Sequence, residues 1–386
     1  MAGISGRTAI AGIGTTAFGK LPGRSAWSLQ AEAVRVALED AGLQKDDVDG
    51  LLTEPQFGEP LMLHGHILGR MLGLKTNYLS TKSIGGATAI SLVQEAAMAI
   101  DAGLCEVAVC VFGDNPKTGL PMLFGLAQMG RGQADDIAFG MAGGAVMEAR
   151  SAMRYMHEYG VTHEMLGSVA ITFREHAGLN PAAQYRDPLT MEEYLGSPFI
   201  SEPFRRYDCT VTTDGAVAVV VTSAERARDL AKPPAYVAGM GQGHNLDGLK
   251  DPTHYTHFAG ARSSQRAFEM AGITTDDVDV MQFYDCFTST VLITLEDYGF
   301  CKKGEGGPFA QDGGLRLGGE LPSNTSGGML SEGDLTGWGQ VAEGARQIRG
   351  ECGDRQVADA EVSVVAGHGG FQAAHATLVL TKEQPS

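Results

Sequence analysis

The sequence predicts a duplicated α/β fold, two similar halves in one chain of 386 residues. Three observations predict it: an internal repeat, a strand–helix–strand order around each copy, and a proline pair between them. Residues 39–49 read EDAGLQKDDVD and residues 269–279 read EMAGITTDDVD. Self-similarity at long spacing marks a repeated structural unit. Each copy follows small and branched apolar residues at helical spacing, Ala33, Val34, Ala37 and Leu38 in one and Ala267, Phe268 and Ala271 in the other. Gly42 and Gly272 stand where a helix C-cap is expected, since glycine takes the left-handed conformation freely. The Asp pair then opens a turn into a strand.

Further elements follow in the same order. Ile84 to Ala102 predicts a small-residue helix, followed by a strand over Glu106 to Phe112. Trp338 to Gly350 predicts a helix, followed by a strand over Glu361 to Ala366. This alternation predicts parallel sheets covered by helices. Lys232-Pro233-Pro234 ends the helix expected over Ser223 to Leu230, because proline cannot continue it. The halves are therefore expected at 1–232 and 233–386, with an insertion at about 114–207 that includes a helix from Ala142 to Tyr159. Residues 303–330 are too glycine-dense for a regular element and are expected to form a loop that shapes a site. Gly12-Ile-Gly14 reads as a strand-end turn.

Composition narrows the function. The formal net charge of -17 argues against nucleic acid, whose phosphates require Lys and Arg. Cys105, Cys110, Cys209, Cys286, Cys301 and Cys352 form no CxxC pair and no zinc spacing, which fits a reduced, cytoplasmic protein. No apolar run reaches the roughly 20 residues needed to span a bilayer, and no leader-like segment is read at the N-terminus. No metal site is expected; His64 and His66 read as a surface pair without acidic or Cys companions. His254 and His257 fall in a loop expected to border the pocket.

Four segments carry more specific information: Ser83-Ile-Gly-Gly-Ala-Thr-Ala89, Tyr284-Asp-Cys-Phe-Thr288, Asn324-Thr-Ser-Gly-Gly-Met-Leu-Ser-Glu-Gly-Asp334 and Gly367-His-Gly-Gly370. In this order they resemble the thiolases, in particular the sterol-carrier and lipid-transfer type. The resemblance implies a thiolase fold, two βαβαβαββ-type halves packed around buried helices, with a loop insertion in the first half. It also implies a homodimer whose acyl substrate enters between the halves. The departures define the chemistry. Where the family places its nucleophilic Cys this chain has Ser83; where it has a Gly-His-Pro His it has Asp334; Ala366 replaces the second Cys and Tyr284 a His. Thiolysis needs a thiolate that holds the acyl group, so classical thiolase activity is not expected.

The lipid-transfer-type aldolases of steroid side-chain degradation also lack the nucleophilic Cys and carry Tyr-Asp-x-Phe-Thr. The resemblance to them implies retro-aldol cleavage of a bulky β-hydroxyacyl-CoA, with CoA as part of the substrate, no other cofactor, and a small OB-fold/zinc-ribbon partner. The alternative is a non-catalytic or acyl-transferring subunit of a larger complex; a true thiolase using Ser83 or Cys286 is the remaining option. A retro-aldol step needs a base for the β-hydroxyl and donors for the departing enolate. Tyr284 is the first candidate, as base or donor, or else a strand-end Tyr bonded to backbone. Asp334 is a second base or the N-cap of the Trp338 helix. His368 supplies a proton or holds an oxyanion beside the Gly369 and Gly370 amides. Asp285 completes the candidate set and reads mainly as a residue that orients the Tyr284 turn. Ser83, grouped with Gly369 and Gly370 as substrate-binding, reads as a helix N-cap, and Cys286 as a buried small residue.

Overall fold

The computed structural model describes residues 3–58, 61–119, 140, 143–246, 251 and 254–385. Ala142, residues 120–139 of the expected insertion, and 252–253 of the His254 loop lie outside the described residues. The first half contains β1 (Thr8–Thr15), α1 (Ala26–Ala41), β2 (Gly50–Thr53), α2 (His64–Leu72), β3 (Tyr78–Thr81), α3 (Thr88–Asp101) and β4 (Val107–Asp114). Next come α4 (Gly144–Tyr159), α5 (His163–Gly178), α6 (Met191–Gly196), a hairpin of β5 (Phe199–Ser201) and β6 (Phe204–Arg205), β7 (Gly215–Ser223) and α7 (Ala224–Arg228). The chain continues with β8 (Ala235–His244), α8 (Gly260–Ala271), β9 (Val280–Gln282), α9 (Thr288–Asp297), α10 (Gly306–Gln311), α11 (Gly328–Ser331), α12 (Trp338–Arg349), β10 (Val362–Gly369) and β11 (Ala374–Thr381).

The strands order as β3-β2-β4-β7-β1-β8-β11-β10-β9. β1 and β8 meet at the centre over just two residue pairs, Ala9 with Tyr236 and Ile10 with Ala235. The sheet is mixed, which corrects the expectation of parallel sheets. β2–β3, β2–β4 and β9–β10 are parallel, whereas β7 and β11 run antiparallel to both of their neighbours. The short link between β10 and β11 permits only an antiparallel return.

The repeat has a physical basis on each side of the centre. Gly42 and Gly272 end α1 and α8 in the left-handed conformation, at φ 73° and 71°. Beyond them, Asp49 accepts the N–H groups of Glu106 and Val107, and Asp279 those of Glu361 and Val362. The last Asp of each repeat thus pins the start of β4 or β10. Gly12 and Gly14 lie within β1, not in a turn as read from the sequence. A Cβ on Gly14 would sit 2.0 Å from the Ala33 carbonyl oxygen, and one on Gly241 of β8 would sit 2.0 Å from that of Ser263. Only glycine lets each helix lie directly on its strand.

The core has a shared centre. Ile90, Val93 and Ala97 of α3 and Trp338, Val341 and Ala345 of α12 pack in one cluster with β4, β7, β8 and β11. Both helices carry buried residues on nearly every face, as expected for elements enclosed by sheet. Separate apolar clusters hold α1 on the outer face of the first half and α8 and α9 on that of the second. The N-termini of α3 and α12, the end of β10 and the segment after β9 then converge on one place.

Candidate active site

That place is a cavity of about 340 Å³ lined by Gly85, Gly86, Tyr284, Asp334, Thr336, His368 and Gly369, with Phe57, Phe287 and Phe371 among its apolar walls. Its floor is made of glycine because backbone meets backbone there. A Cβ on Gly369 would lie 2.0 Å from the Ile84 carbonyl oxygen, and one on Gly86 would lie 2.0 Å from Cε2 and Cζ of Tyr284. The phenol therefore packs directly against Gly86. Gly337, at φ 87°, approaches the ring at Cδ2 and Cε2.

Each predicted residue can now be placed. Tyr284 lines the cavity, and burial together with the nearby Asp334 carboxylate drives its pKa far above the ordinary tyrosine value. Its hydroxyl therefore keeps its proton and can donate a hydrogen bond. Asp334 also lines the cavity, its Oδ1 accepting the Thr336 N–H at 3.0 Å. Burial raises its pKa, against the hydrogen bonds of Thr336 and Thr210. Asp334 is not the N-cap of α12; Gly337 holds that position. His368 is the penultimate residue of β10 and stacks on Phe258 with ring centroids 5.0 Å apart. Burial lowers its pKa to about 4, so the ring is neutral near pH 7. Its Nε2 accepts the Gln372 N–H at 3.1 Å, which places the single ring proton on Nδ1 as a donor. Gly369 and Gly370 line the cavity beside it.

Two candidates fall outside. Asp285 is fully buried and does not line the cavity. It accepts the N–H groups of Met329 and Leu330 and the Gln340 side chain, and so ties α11 and α12 to the Tyr284 segment. Ser83 is exposed and neither lines the cavity nor caps α3, whose N-cap is Ala87. The Gly85 turn, at φ 65°, intervenes between Ser83 and the helix. Cys286, read as a buried small residue, is half-buried and lines the cavity. Burial and the Glu148 carboxylate hold its thiol well above the ordinary value, so it offers no thiolate. His64 is buried, not at a surface, and stacks on Trp27 at 4.7 Å. Among the described residues no cluster of three or more His, Cys, Asp or Glu could hold a metal.

Sequence reasoning missed Glu148, Thr336 and Glu54. Glu148 lies in the first turns of α4 and lines the cavity. Glu54, behind the wall, accepts the Thr336 hydroxyl at 3.2 Å and the Trp338 indole N–H at 3.1 Å. Burial pushes its pKa up to about 8. None of the three stands in a recognisable motif, so no local signal could have found them.

Residues 241–382 match the family described as thiolase C-terminal domain-like. Over 96% of its length the chain is 40% identical to a steroid side-chain-cleaving aldolase of Thermomonospora curvata, covering 97% of that protein. The chain belongs to the thiolase superfamily. A second relative in the superfamily, a 17-hydroxy-3-oxo-4-pregnene-20-carboxyl-CoA lyase of Mycobacterium tuberculosis, is 38% identical over 95% of this chain and 97% of its own. A solved Ltp2-ChsH2(DUF35) aldolase matches with a TM-score of 0.90 at 37% identity, over 98% of both chains. The present protein is a carbon–carbon lyase of the thiolase superfamily. Among the described residues no helix is long and apolar enough to cross a membrane.

Proposed function

We propose that this thiolase-superfamily lyase cleaves a bulky, steroid-like β-hydroxyacyl-CoA by a retro-aldol reaction. The observation that carries this reading is the convergence of a carboxylate, a phenol and a neutral imidazole on one largely apolar cavity whose lining thiols, Cys209 and Cys286, are kept protonated by burial. The substrates named for the two curated relatives support the acyl class. Asp334 takes the β-hydroxyl proton, the β-carbon becomes a carbonyl, and the α–β bond electrons pass into the thioester as an enolate. Burial makes the ionised Asp334 a stronger base than a free carboxylate. The Tyr284 hydroxyl and His368 Nδ1 donate to the enolate oxygen, with the Gly369 and Gly370 backbone alongside. The reaction as written is redox-neutral and calls for no cofactor beyond the CoA of the substrate.

A small partner subunit of the ChsH2(DUF35) kind belongs to the same reading, supported by the name of the solved aldolase. So does a homodimer, for which the exposed Met62, Leu63 and Met71 on and beside α2 offer apolar surface. The seam between the halves belongs at Pro233, just ahead of β8.

The test is cleavage of a β-hydroxyacyl-CoA with a bulky tertiary alcohol, by the protein alone and with such a partner, with products read by mass spectrometry. Carbonyl product plus shortened acyl-CoA is expected. Asp334→Asn and Tyr284→Phe should each slow kcat by about 10²-fold or more, the scale of a lost base or oxyanion donor. No cleavage under any pairing would overturn the reading.

A further inference from the structure

Building on the retro-aldol reading, we infer that Glu148 is a second catalytic residue, the acid that returns a proton to the α-carbon of the departing acyl-CoA enolate. Glu148 is 2% exposed, yet it lines the cavity. Its Oε2 accepts the Gln372 side-chain N–H at 2.9 Å, while Oε1 has no hydrogen-bond partner. A buried carboxyl oxygen without a partner is costly unless it serves a ligand or reactant. No Lys or Arg forms an ion pair with it among the described residues. Burial raises its pKa to about 7, so it holds a proton for much of the time near neutral pH.

The backbone around it is arranged to hold that state. Gly370, Phe371 and Gln372 follow one another at φ 63°, 51° and 71°. A run of left-handed residues is unfavourable for L-amino acids and persists only where the surroundings impose it. Here the run buries Gln372 and sends its two donors to two site groups, the backbone N–H to His368 Nε2 and the amide to Glu148 Oε2. Gln372 is thus a positioning residue for both. Glu148 Oε1 lies 3.6 Å from His368 Nε2, the nitrogen that also accepts the Gln372 N–H. Glu148 lines the same cavity as Tyr284, Asp334 and His368, the cavity in which the α-carbon of the enolate sits in this reading. Asp334 comes from a different element and serves the β-hydroxyl. When the α–β bond breaks, the enolate pair takes the Glu148 proton and forms the new C–H bond. The Glu148 carboxylate regains a proton from water as Asp334 releases one, so the cycle balances.

The decisive experiment follows the α-hydrogen of the short acyl-CoA product in D2O, without carbonyl product, by NMR and mass spectrometry. Wild-type enzyme, with its partner present, is expected to exchange it. Glu148→Gln keeps the shape and the Gln372 hydrogen bond, and should slow exchange by about 10²-fold or more, the scale of a lost general acid–base group. In cleavage of an α-alkyl substrate in D2O, wild type should set one configuration at the new C–D centre and Glu148→Gln both. Glu148→Asp, which retains a carboxyl, should restore part of the exchange and decides the matter if Glu148→Gln does not fold. Unchanged exchange and unchanged stereochemistry in a folded variant would overturn the assignment. Exchange without cleavage in the wild type would sink the retro-aldol reading and leave Glu148 standing.

Discussion

The turn that enters α3 and the turn that enters α12 occupy corresponding places in the two halves, yet they are built differently. The first runs from Ser83 through Gly85 and Gly86, and presents backbone to the cavity. The second runs from Asp334 through Thr336, at φ 50°, to Gly337, and presents a carboxylate and a hydroxyl. A β-branched residue in the left-handed region is uncommon, and here Glu54 of the first half holds its hydroxyl. On the outer faces the halves have not diverged in this way: Gly14 and Gly241, and Asp49 and Asp279, perform the same tasks. Positions whose role is backbone contact stay alike between the copies, and positions that face the substrate separate.

The equivalence of the outer faces can be broken at the glycines. Gly14→Ala and Gly241→Ala each drive a methyl into a backbone carbonyl, where no side chain can yield. Each should destabilise towards the upper end of the roughly 1–3 kcal/mol of overpacking, and by similar amounts, in denaturant titrations. A tolerated substitution at one position would end the equivalence. Gly86→Ala sharpens the contrast, because its methyl meets the Tyr284 ring instead. The ring can shift, so stability should fall less while cleavage falls by about 10²-fold, the loss expected for a misplaced catalytic group.

Asp49→Ala and Asp279→Ala each orphan two N–H groups at a strand start. A cost of about 1–2 kcal/mol is expected in each half, since charge-assisted bonds at a partly exposed site are moderate. A further test concerns pH. Burial raises the Glu54 pKa from 4.5 to about 8, so the native state holds a proton that the unfolded chain releases. Its contribution to stability is complete below about pH 4.5 and is lost as pH rises towards 8. Glu54→Gln should therefore show a flatter decline in unfolding free energy between pH 5 and 8 than wild type. An identical pH slope would show that Glu54 does not titrate in this window.

Tyr284, Asp334 and His368 stood out because each lies in one of the four ordered motifs, Asp334 and His368 directly beside glycines. Their roles were less so. That Tyr284 keeps its proton, and that His368 is neutral with its proton on Nδ1, follow from burial and from the Gln372 N–H. Asp285 looked like a member of the catalytic set because it adjoins Tyr284. Successive residues point apart, however, and its carboxylate turns to the N–H groups of α11. Ser83 misled for a related reason: two glycines displace the helix start to Thr88.

The sequence by itself determined the duplication, the helix ends at Gly42 and Gly272, the buried helices and the loss of a thiolate, because these depend on local conformation and residue chemistry. Tertiary structure alone decided the mixed sheet order, the burial of His64 and the assembly of the cavity from segments spread from Phe57 to Phe371. It also decided that Glu148 faces Gln372 across 224 positions of sequence. Protonation at the site depends on desolvation and on partners distant in the chain, and neither exists until the halves close around α3 and α12.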